Sequence, residues 1–323
     1  MKNDIFPLFI SIKGKDLLKE EENFIKKERP AGLILFKKNI ESQNQIIDLN
    51  KKIKNLISPT PLISVDCEGG EVNRLSHLGE QTLWPSPEEL SYFSPEKIFS
   101  ISKQMGTYLK NLGFDINFAP VIDLPIVSSN LLKTRVFSSS PLVVIEKASV
   151  FMKALLEAGI VPCLKHFPGH GGVEQDSHKV LPKDFRTLKE LSIQLDLFEK
   201  LFKKHLCAVM TAHIEFPHIE KTPASFSKKI LTQILKTKQK FKGLVFSDDI
   251  DMKALEAFSP GEAFFLAIRA GCDIVLTCQK EQSPYEIIEY LKKHPKKRKL
   301  LENKFKITEE KVLNLRKKQN LPL

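Results

Sequence analysis

The sequence lacks the features that would assign it to several specialised classes of protein. No stretch of its 323 residues approaches the ~20 continuous apolar residues of a membrane-spanning helix. Residues 1–10 have neither the apolar core nor the cleavage site of a secretory signal, so we expect a cytoplasmic protein. The five cysteines show no zinc-type spacing and four lie in apolar runs, which favours reduced, buried thiols.

The sequence also lacks a nucleic-acid-binding module, although its formal net charge is +11. The densest basic run, residues 292–299, has no interleaved aromatic residues. We therefore expect a basic, solvated helical segment from about residue 284 to the C-terminus and no nucleic-acid partner. Attraction of an acidic substrate is the functional alternative for this charge.

Short apolar segments alternate with helix-like segments along the chain. Eight candidate strands are residues 5–12, 32–36, 62–66, 114–119, 161–166, 207–213, 244–248 and 272–278, and the helix-like segments include 96–112, 141–158, 228–239 and 261–270. This alternation predicts a parallel sheet, and eight units favour a closed barrel. Because no repeat or flexible linker divides the chain, the prediction is an α/β protein with a single (β/α)8 TIM-type barrel domain over residues 1–323.

The most distinctive segment follows the fifth candidate strand and reads KHFPGHGGVEQDSH, residues 165–178. Asp176 stands two residues before His178, so in an extended loop the two side chains can face the same way and form a hydrogen bond. Such a contact raises the proton affinity of the imidazole, which suits a general acid–base. A glycine-rich turn with polar decoration is the alternative interpretation.

A cluster of carboxylates ends the seventh candidate strand at Asp248, Asp249 and Asp251. Carboxylates this close repel one another unless water, a cation or a substrate separates them, and one of them can serve as a nucleophile. The alternative is that Asp249 or Asp251 caps the next helix.

A third cluster follows the third candidate strand in LISVDCEGGEVNRL, where Asp66 and Arg74 are suited to binding sugar hydroxyls. In a barrel, these clusters all lie at the carboxyl ends of strands, together with residues 117–120 and 211–213. Active sites of such barrels lie at that face, so the sequence predicts an enzyme.

The blocks also carry a resemblance to a known family. The segments GLILFKKN, VDCEGGEVNRL, FDINFAPVIDL, KHFPGHGGVEQDSH, MTAHIEFP, PASFSKKIL and GLVFSDDIDM resemble, in order, the signature blocks of bacterial β-N-acetylhexosaminidases of glycoside hydrolase family 3. The resemblance implies a single-domain barrel that needs no cofactor or metal. It also implies that the enzyme removes terminal β-linked N-acetylglucosamine from muropeptides or chitooligosaccharides in the cytoplasm.

The resemblance further implies a role for each matching residue. It makes Asp248 the nucleophile and His178 the acid–base, with Asp176 as its partner. The matching sugar-binding positions are Asp66, Arg74, Lys165, His166 and, in the reduced block KTRVFS, Arg135. In the retaining mechanism expected from these roles, Asp248 attacks while His178 protonates the departing group, and His178 then activates water.

Other interpretations remain open at this stage. A metal-dependent barrel hydrolase is disfavoured because the first candidate strand lacks a His-x-His pair. A catalytically inactive binding protein is disfavoured because Asp248, Asp176 and His178 are all present. A β-N-acetylglucosaminide phosphorylase or a β-glucosidase on the same scaffold is the closest alternative. We expect a small carbohydrate as the only ligand and a monomeric protein.

Overall fold

Eight parallel strands close into a barrel in the computed structural model, which describes residues 5–127, 131–177 and 179–321. In chain order they are β1 (Phe6–Ile10), β2 (Pro30–Leu35), β3 (Leu62–Val65), β4 (Ile116–Asn117), β5 (Val161–Phe167), β6 (Ala208–Thr211), β7 (Val245–Asp249) and β8 (Ile274–Thr277). Each strand pairs in parallel with the next, and β1 pairs with β8 to close the ring. The predicted (β/α)8 barrel is confirmed.

Helices follow the strands on the outside of the barrel. They are α1 (Lys19–Glu28), α2 (Gln43–Lys54), α3 (Pro87–Ser91), α4 (Pro95–Asn111), α5 (Pro141–Glu157), α6 (Ser192–Lys204), a π-helix (Lys229–Lys238), α7 (Pro260–Ala270), α8 (Ser283–Lys293) and α9 (Pro295–Lys318). Single 3-10 turns occupy Lys37–Asn39, Ser76–Leu78, Glu80–Thr82, Ala224–Phe226 and Lys253–Leu255.

Several helices begin at a local Ser-Pro signal. Ser86, Ser94 and Ser259 each accept a hydrogen bond from the backbone N–H three residues later, and each is followed by proline at the first helical position. The serine oxygen satisfies an otherwise unpaired N–H of the first turn, and proline has no N–H to lose there. These caps set where α3, α4 and α7 begin.

Three phenylalanines fill the barrel interior. The rings of Phe9 and Phe246 lie 5.1 Å apart, those of Phe118 and Phe246 lie 5.3 Å apart, and all three side chains are fully buried. Gly32 makes room for this layer, because a Cβ there would lie 2.3 Å from the Phe9 ring and from the Leu62 carbonyl oxygen. Phe118 also lines the cavity at the mouth of the barrel, so the aromatic layer forms part of its floor.

Two short antiparallel hairpins extend the barrel strands at this mouth. One joins Cys67–Gly69 to Val72–Asn73 directly after β3, and the other joins Glu215–Phe216 to Glu220–Pro223 after β6. The first turns through Gly69 and Gly70, whose φ angles of 95° and 58° are in the region that favours glycine. This hairpin brings Glu68 over the end of the barrel.

The C-terminal segment, where a basic helical stretch is predicted, forms α8 and α9. Helix α9 packs across the amino ends of the strands through buried Val312 and Leu315, which belong to the same hydrophobic cluster as Leu62, Val161 and Leu244. The guanidinium of buried Arg316 donates to the hydroxyl of Thr60, just before β3, at 2.9 Å. Among the described helices, none is both long and apolar enough to cross a membrane.

All five cysteines are buried and none forms a disulfide, as predicted. Burial raises the pKa of the Cys272 thiol to about 12, and it also raises the pKa of Cys67, which lies nearest the polar cluster after β3. A thiol with a raised pKa is a weak nucleophile at neutral pH, so the cysteines are packing residues.

Candidate active site

A cavity of about 370 Å³ opens at the carboxyl ends of the barrel strands. Six of the residues predicted from sequence line it: Asp66, Arg74, Arg135, Lys165, His166 and Asp248. They come from β5, from β7 and from the segments after β3 and β4, which are far apart in the chain. The polar clusters therefore meet at one mouth, as the barrel interpretation requires.

Glu68 holds two of the cavity's cations in place. Its carboxylate accepts hydrogen bonds from Nε and Nη2 of Arg135, both at 2.8 Å, and its Oε1 lies 2.7 Å from Nζ of Lys165. The Glu68 side chain is fully buried, and burial alone would raise its pKa. The charges of Arg135 and Lys165 outweigh that effect and lower the pKa of Glu68 to about 2. Glu68 is therefore ionised and fixes both cations.

Glu68 is not among the residues predicted from sequence. A signal was present, since Glu68 stands two residues after Asp66 and alternate side chains of an extended segment face the same way. The block VDCEGG therefore contributes two carboxylates to the same group of cations, Asp66 and Glu68.

Asp66 links Lys165 to Arg74 at the edge of the same network. Its Oδ1 accepts a hydrogen bond of 3.0 Å from Nζ of Lys165, and its Oδ2 lies 3.6 Å from Nη2 of Arg74. The Arg74 guanidinium also lies over the ring of Phe36, 5.7 Å from its centroid. Carboxylates that accept and cations that donate, placed side by side, can bind the vicinal hydroxyls of a sugar.

Asp123 fixes the orientation of His166. Its Oδ2 lies 2.8 Å from Nδ1 of His166, while its Oδ1 accepts a 2.7 Å hydrogen bond from the backbone N–H of His170. Burial of Asp123 would raise its pKa, but its contacts with the two histidines lower it, so the carboxylate stays charged. A charged partner at Nδ1 leaves the other ring nitrogen of His166 for a ligand. Asp123 was also missed, although the quoted block FDINFAPVIDL contains it.

The three acids at the end of β7 have different environments. Asp248 lines the cavity, and one of its oxygens accepts a 2.8 Å hydrogen bond from the backbone N–H of Asp249. Asp251 is directed to the end of β8 and the start of α8, where it accepts hydrogen bonds from the Thr277 hydroxyl at 2.8 Å and the Ser283 hydroxyl at 2.5 Å. The alternative that Asp249 or Asp251 caps the next helix is wrong, because the 3-10 turn Lys253–Leu255 has no side-chain cap and Ser259 caps α7.

Asp249 lies behind Asp248 and also borders the cavity. Its carboxylate accepts hydrogen bonds from the backbone N–H groups of Asp251 and Cys278, each at 3.1 Å. Burial, reinforced by the charge of Asp251, raises the pKa of Asp249 to about 7. Of the three carboxylates, Asp248 is the one that is half-buried and lines the cavity, whereas Asp249 and Asp251 are buried.

The glycine-rich loop after β5 is anchored against the segment that follows β4. The carbonyl of Gly171 accepts hydrogen bonds from the backbone N–H groups of Ile126 and Val127 at 2.9 and 3.1 Å. A Cβ on Gly171 would lie 1.7 Å from the carbonyl oxygen of Leu124, so only glycine allows this close approach. The contact holds the start of the loop beside the cavity.

The predicted acid–base pair lies further along this loop. Asp176 is half-buried, and its carbonyl accepts hydrogen bonds from Lys179 and Val180, while Ser177 lines the cavity. His178 lies outside the described residues, so its contact with Asp176 stays a prediction. Among the described residues, no group of three or more His, Cys, Asp or Glu side chains could hold a metal ion.

Comparison with known proteins relates this site to one family. Residues 9–315 match the N-terminal domain of glycosyl hydrolase family 3. Two relatives named beta-hexosaminidase are similar in sequence. The one from Neisseria meningitidis serogroup B is 35% identical over 295 residues, covering 88% of this chain and 81% of the relative. The one from Thioalkalivibrio sulfidiphilus is 32% identical over 296 residues, covering 90% and 85%.

Solved structures agree in fold. Native NagZ from Neisseria gonorrhoeae superposes with a TM-score of 0.82 at 30% identity, over 97% of this chain and 98% of that chain. The same protein in complex with N-trifluoroacetyl-D-glucosamine gives a TM-score of 0.83 at 31% identity, over 99% and 97%. A family 3 beta-N-acetylglucosaminidase from Paenibacillus gives 0.91 at 25% identity, over 98% of this chain and 62% of that chain.

Proposed function

Because the chain belongs to glycosyl hydrolase family 3 and is a glycoside hydrolase, we propose that it removes terminal, non-reducing β-linked N-acetylglucosamine from small carbohydrates. The observation that carries this proposal is the single cavity in which Asp248 shares the walls with the Asp66, Arg74, Arg135, Lys165 and His166 group. The structural neighbour that holds N-trifluoroacetyl-D-glucosamine supports an N-acylated sugar as the ligand.

In the proposed mechanism the reaction proceeds in two steps through a covalent intermediate. The carboxylate of Asp248 attacks the anomeric carbon, and the bond to the departing oxygen breaks as His178 donates a proton to that oxygen. His178 then takes a proton from water, which attacks the anomeric carbon and releases Asp248. Asp176 is assigned to the acid–base histidine as its partner. The mechanism thus retains the β configuration of the sugar.

The cation network is proposed to bind the sugar in this cavity. Lys165 has three N–H donors and gives two of them to Asp66 and Glu68, so the third remains for a hydroxyl of the sugar. Arg135 uses Nε and Nη2 on Glu68, while among the described residues its Nη1 makes a single long contact of 3.4 Å with the carbonyl of Leu131. These spare donors are held rigidly, which lowers the entropic cost of binding.

We assign the substrate to muropeptides, which are fragments of peptidoglycan turnover, or to chitooligosaccharides. We further propose that the reaction takes place in the cytoplasm and that one barrel domain over residues 1–323 carries it out. The five buried free thiols fit a reducing compartment. We also assign the protein to a monomeric state. Size-exclusion chromatography with light scattering tests that assignment.

A panel of chromogenic glycosides tests the proposal most simply. We expect the purified protein to release nitrophenolate from the N-acetyl-β-glucosaminide and to act poorly on the β-glucoside, with no stimulation by inorganic phosphate. Preference for the β-glucoside would instead indicate a β-glucosidase. Formation of a sugar 1-phosphate in phosphate buffer would indicate a phosphorylase.

A further inference from the structure

His170 is a buried histidine in the cavity wall whose ring has no hydrogen-bond partner among the residues that the structure describes. Its side chain follows β5 in the block KHFPGHG and is only 3% exposed. Neither Nδ1 nor Nε2 bonds to any described residue, although both atoms have almost no surface exposed to water. A buried polar group without a partner destabilises the folded protein, and native proteins rarely contain one without a reason.

A second buried histidine shows how this chain ordinarily satisfies an imidazole. His213 is also fully buried, but its Nδ1 lies 2.8 Å from the hydroxyl of Ser225 and its Nε2 lies 3.1 Å from the carbonyl oxygen of Asp249. The unpartnered ring of His170 is therefore particular to its place in the cavity and is not a general property of the barrel's buried histidines.

The position of His170 is fixed by contacts that leave both ring nitrogens unused. Its backbone N–H donates to Asp123 at 2.7 Å, and its ring packs edge-on against the ring of His166 at 5.6 Å. Burial, with the neighbouring His166, lowers the pKa of His170, so the ring is neutral. A neutral imidazole offers one N–H donor and one acceptor nitrogen. That pair suits a hydroxyl or an amide better than an anion.

We propose that His170 is a substrate-binding residue whose ring nitrogens hydrogen-bond a hydroxyl or amide group of the sugar. The inference rests on the proposed function, since it places a sugar in the cavity that His170 lines together with His166 and Asp248. Sugar binding supplies hydrogen-bond partners that the described residues do not give the His170 ring. The free-energy cost of burying the unpaired ring is therefore recovered when the substrate is bound.

The test compares activity with stability in matched variants. His170→Phe keeps the ring shape and removes both nitrogens, whereas His170→Asn keeps a donor and an acceptor near the ring. We expect His170→Phe to keep or raise the unfolding temperature of the free protein, and to lower kcat/KM on 4-nitrophenyl N-acetyl-β-glucosaminide by about 10- to 100-fold. We expect His170→Asn to retain more activity than His170→Phe.

Two control histidines make the result specific. His213→Phe should lower the unfolding temperature, because it removes satisfied hydrogen bonds. His294→Phe, at an exposed position between α8 and α9, should change neither stability nor activity. A His170→Phe enzyme with the activity of the original protein would overturn the inference. If His170→Phe fails to fold, His170→Asn decides: full activity overturns the inference, and reduced activity with a normal unfolding temperature supports it.

An inactive original protein would overturn the proposed function and leave His170 to be tested by ligand binding alone. Calorimetric titration with N-acetylglucosamine then supplies the readout. Weaker binding by His170→Phe supports the inference, whereas equal affinity, including no binding by either protein, overturns it.

Discussion

Replacing Glu68 with glutamine removes one negative charge from a fully buried site and keeps the shape of the side chain. In the structure this carboxylate accepts two hydrogen bonds from Arg135 and one contact from Lys165, all at 2.7–2.8 Å. These charges lower the pKa of Glu68 from 4.5 to about 2. Because each pKa unit corresponds to about 1.4 kcal/mol, we expect the Glu68→Gln variant to lose roughly 3 kcal/mol of unfolding free energy at pH 7.

The stability difference between the original protein and Glu68→Gln should depend on pH in a definite direction. A carboxyl group whose folded pKa is lowered stabilises the protein fully above its unfolded pKa of 4.5. That stabilisation is lost as the pH falls through the folded value of about 2. Urea denaturation at pH 7, 5, 4 and 3 should therefore show a difference between the original protein and Glu68→Gln that narrows below pH 4.5. We also expect lower kcat/KM, because Arg135 and Lys165 lose the group that orients them.

The matched control is Glu80→Gln, which removes an exposed carboxylate from a turn near the same loop. It should leave the unfolding free energy within about 0.5 kcal/mol of the original, as surface substitutions usually do. A Glu68→Gln variant that is as stable as the original protein at pH 7 would contradict this prediction, and so would a stability difference that does not change with pH.

Two further substitutions distinguish a residue that positions a site side chain from a residue that stabilises the fold. Asp123→Asn removes the charge that fixes the orientation of His166. We therefore expect kcat/KM to fall by roughly 10- to 100-fold and the pH dependence of the rate to shift. An unchanged pH dependence would argue against a positioning role for Asp123. Asp251→Ala removes the acceptor for the Thr277 and Ser283 hydroxyls and for the N–H groups that follow β8, so we expect a loss of about 2–4 kcal/mol of unfolding free energy. Chemical denaturation checks this, and an unchanged midpoint would contradict it.

The sequence predicts the barrel well because its strands are buried on both faces and read as short apolar runs. The positions at which the strands begin and end are predicted less accurately. The fourth candidate strand, 114–119, is reduced to Ile116–Asn117, because the N–H of Ala119 donates locally to the carbonyl of Asn117 at 2.8 Å instead of to a neighbouring strand. The segment 228–239 is helical as predicted, although it is wound as a π-helix over Lys229–Lys238. Periodicity indicates that a helix exists but not how tightly it is wound.

The contacts that organise the site are harder to predict from sequence. Glu68 and Arg135 are 67 residues apart, and Asp123 and His166 are 43 apart, so their pairing depends on closure of the barrel. The sequence shows acids and cations of the right kind at strand ends, but it does not show which carboxylate meets which cation. Burial of His170 with no partner is likewise a property of the folded cavity and leaves no signal in the spacing.

In the proposed mechanism, Asp248 forms a covalent bond to the sugar while His178 transfers protons. Its most direct test is the time course of nitrophenolate release by His178→Ala from an activated aryl N-acetyl-β-glucosaminide. A good leaving group needs little protonation, so we expect a burst of one equivalent followed by a slow phase, with the trapped sugar found on Asp248 by peptide mass spectrometry. Asp248→Asn should show no burst and lose roughly 10³-fold or more of the activity. If His178→Ala shows no burst, and loses activity equally on activated and natural substrates, the assignment of the two roles is wrong.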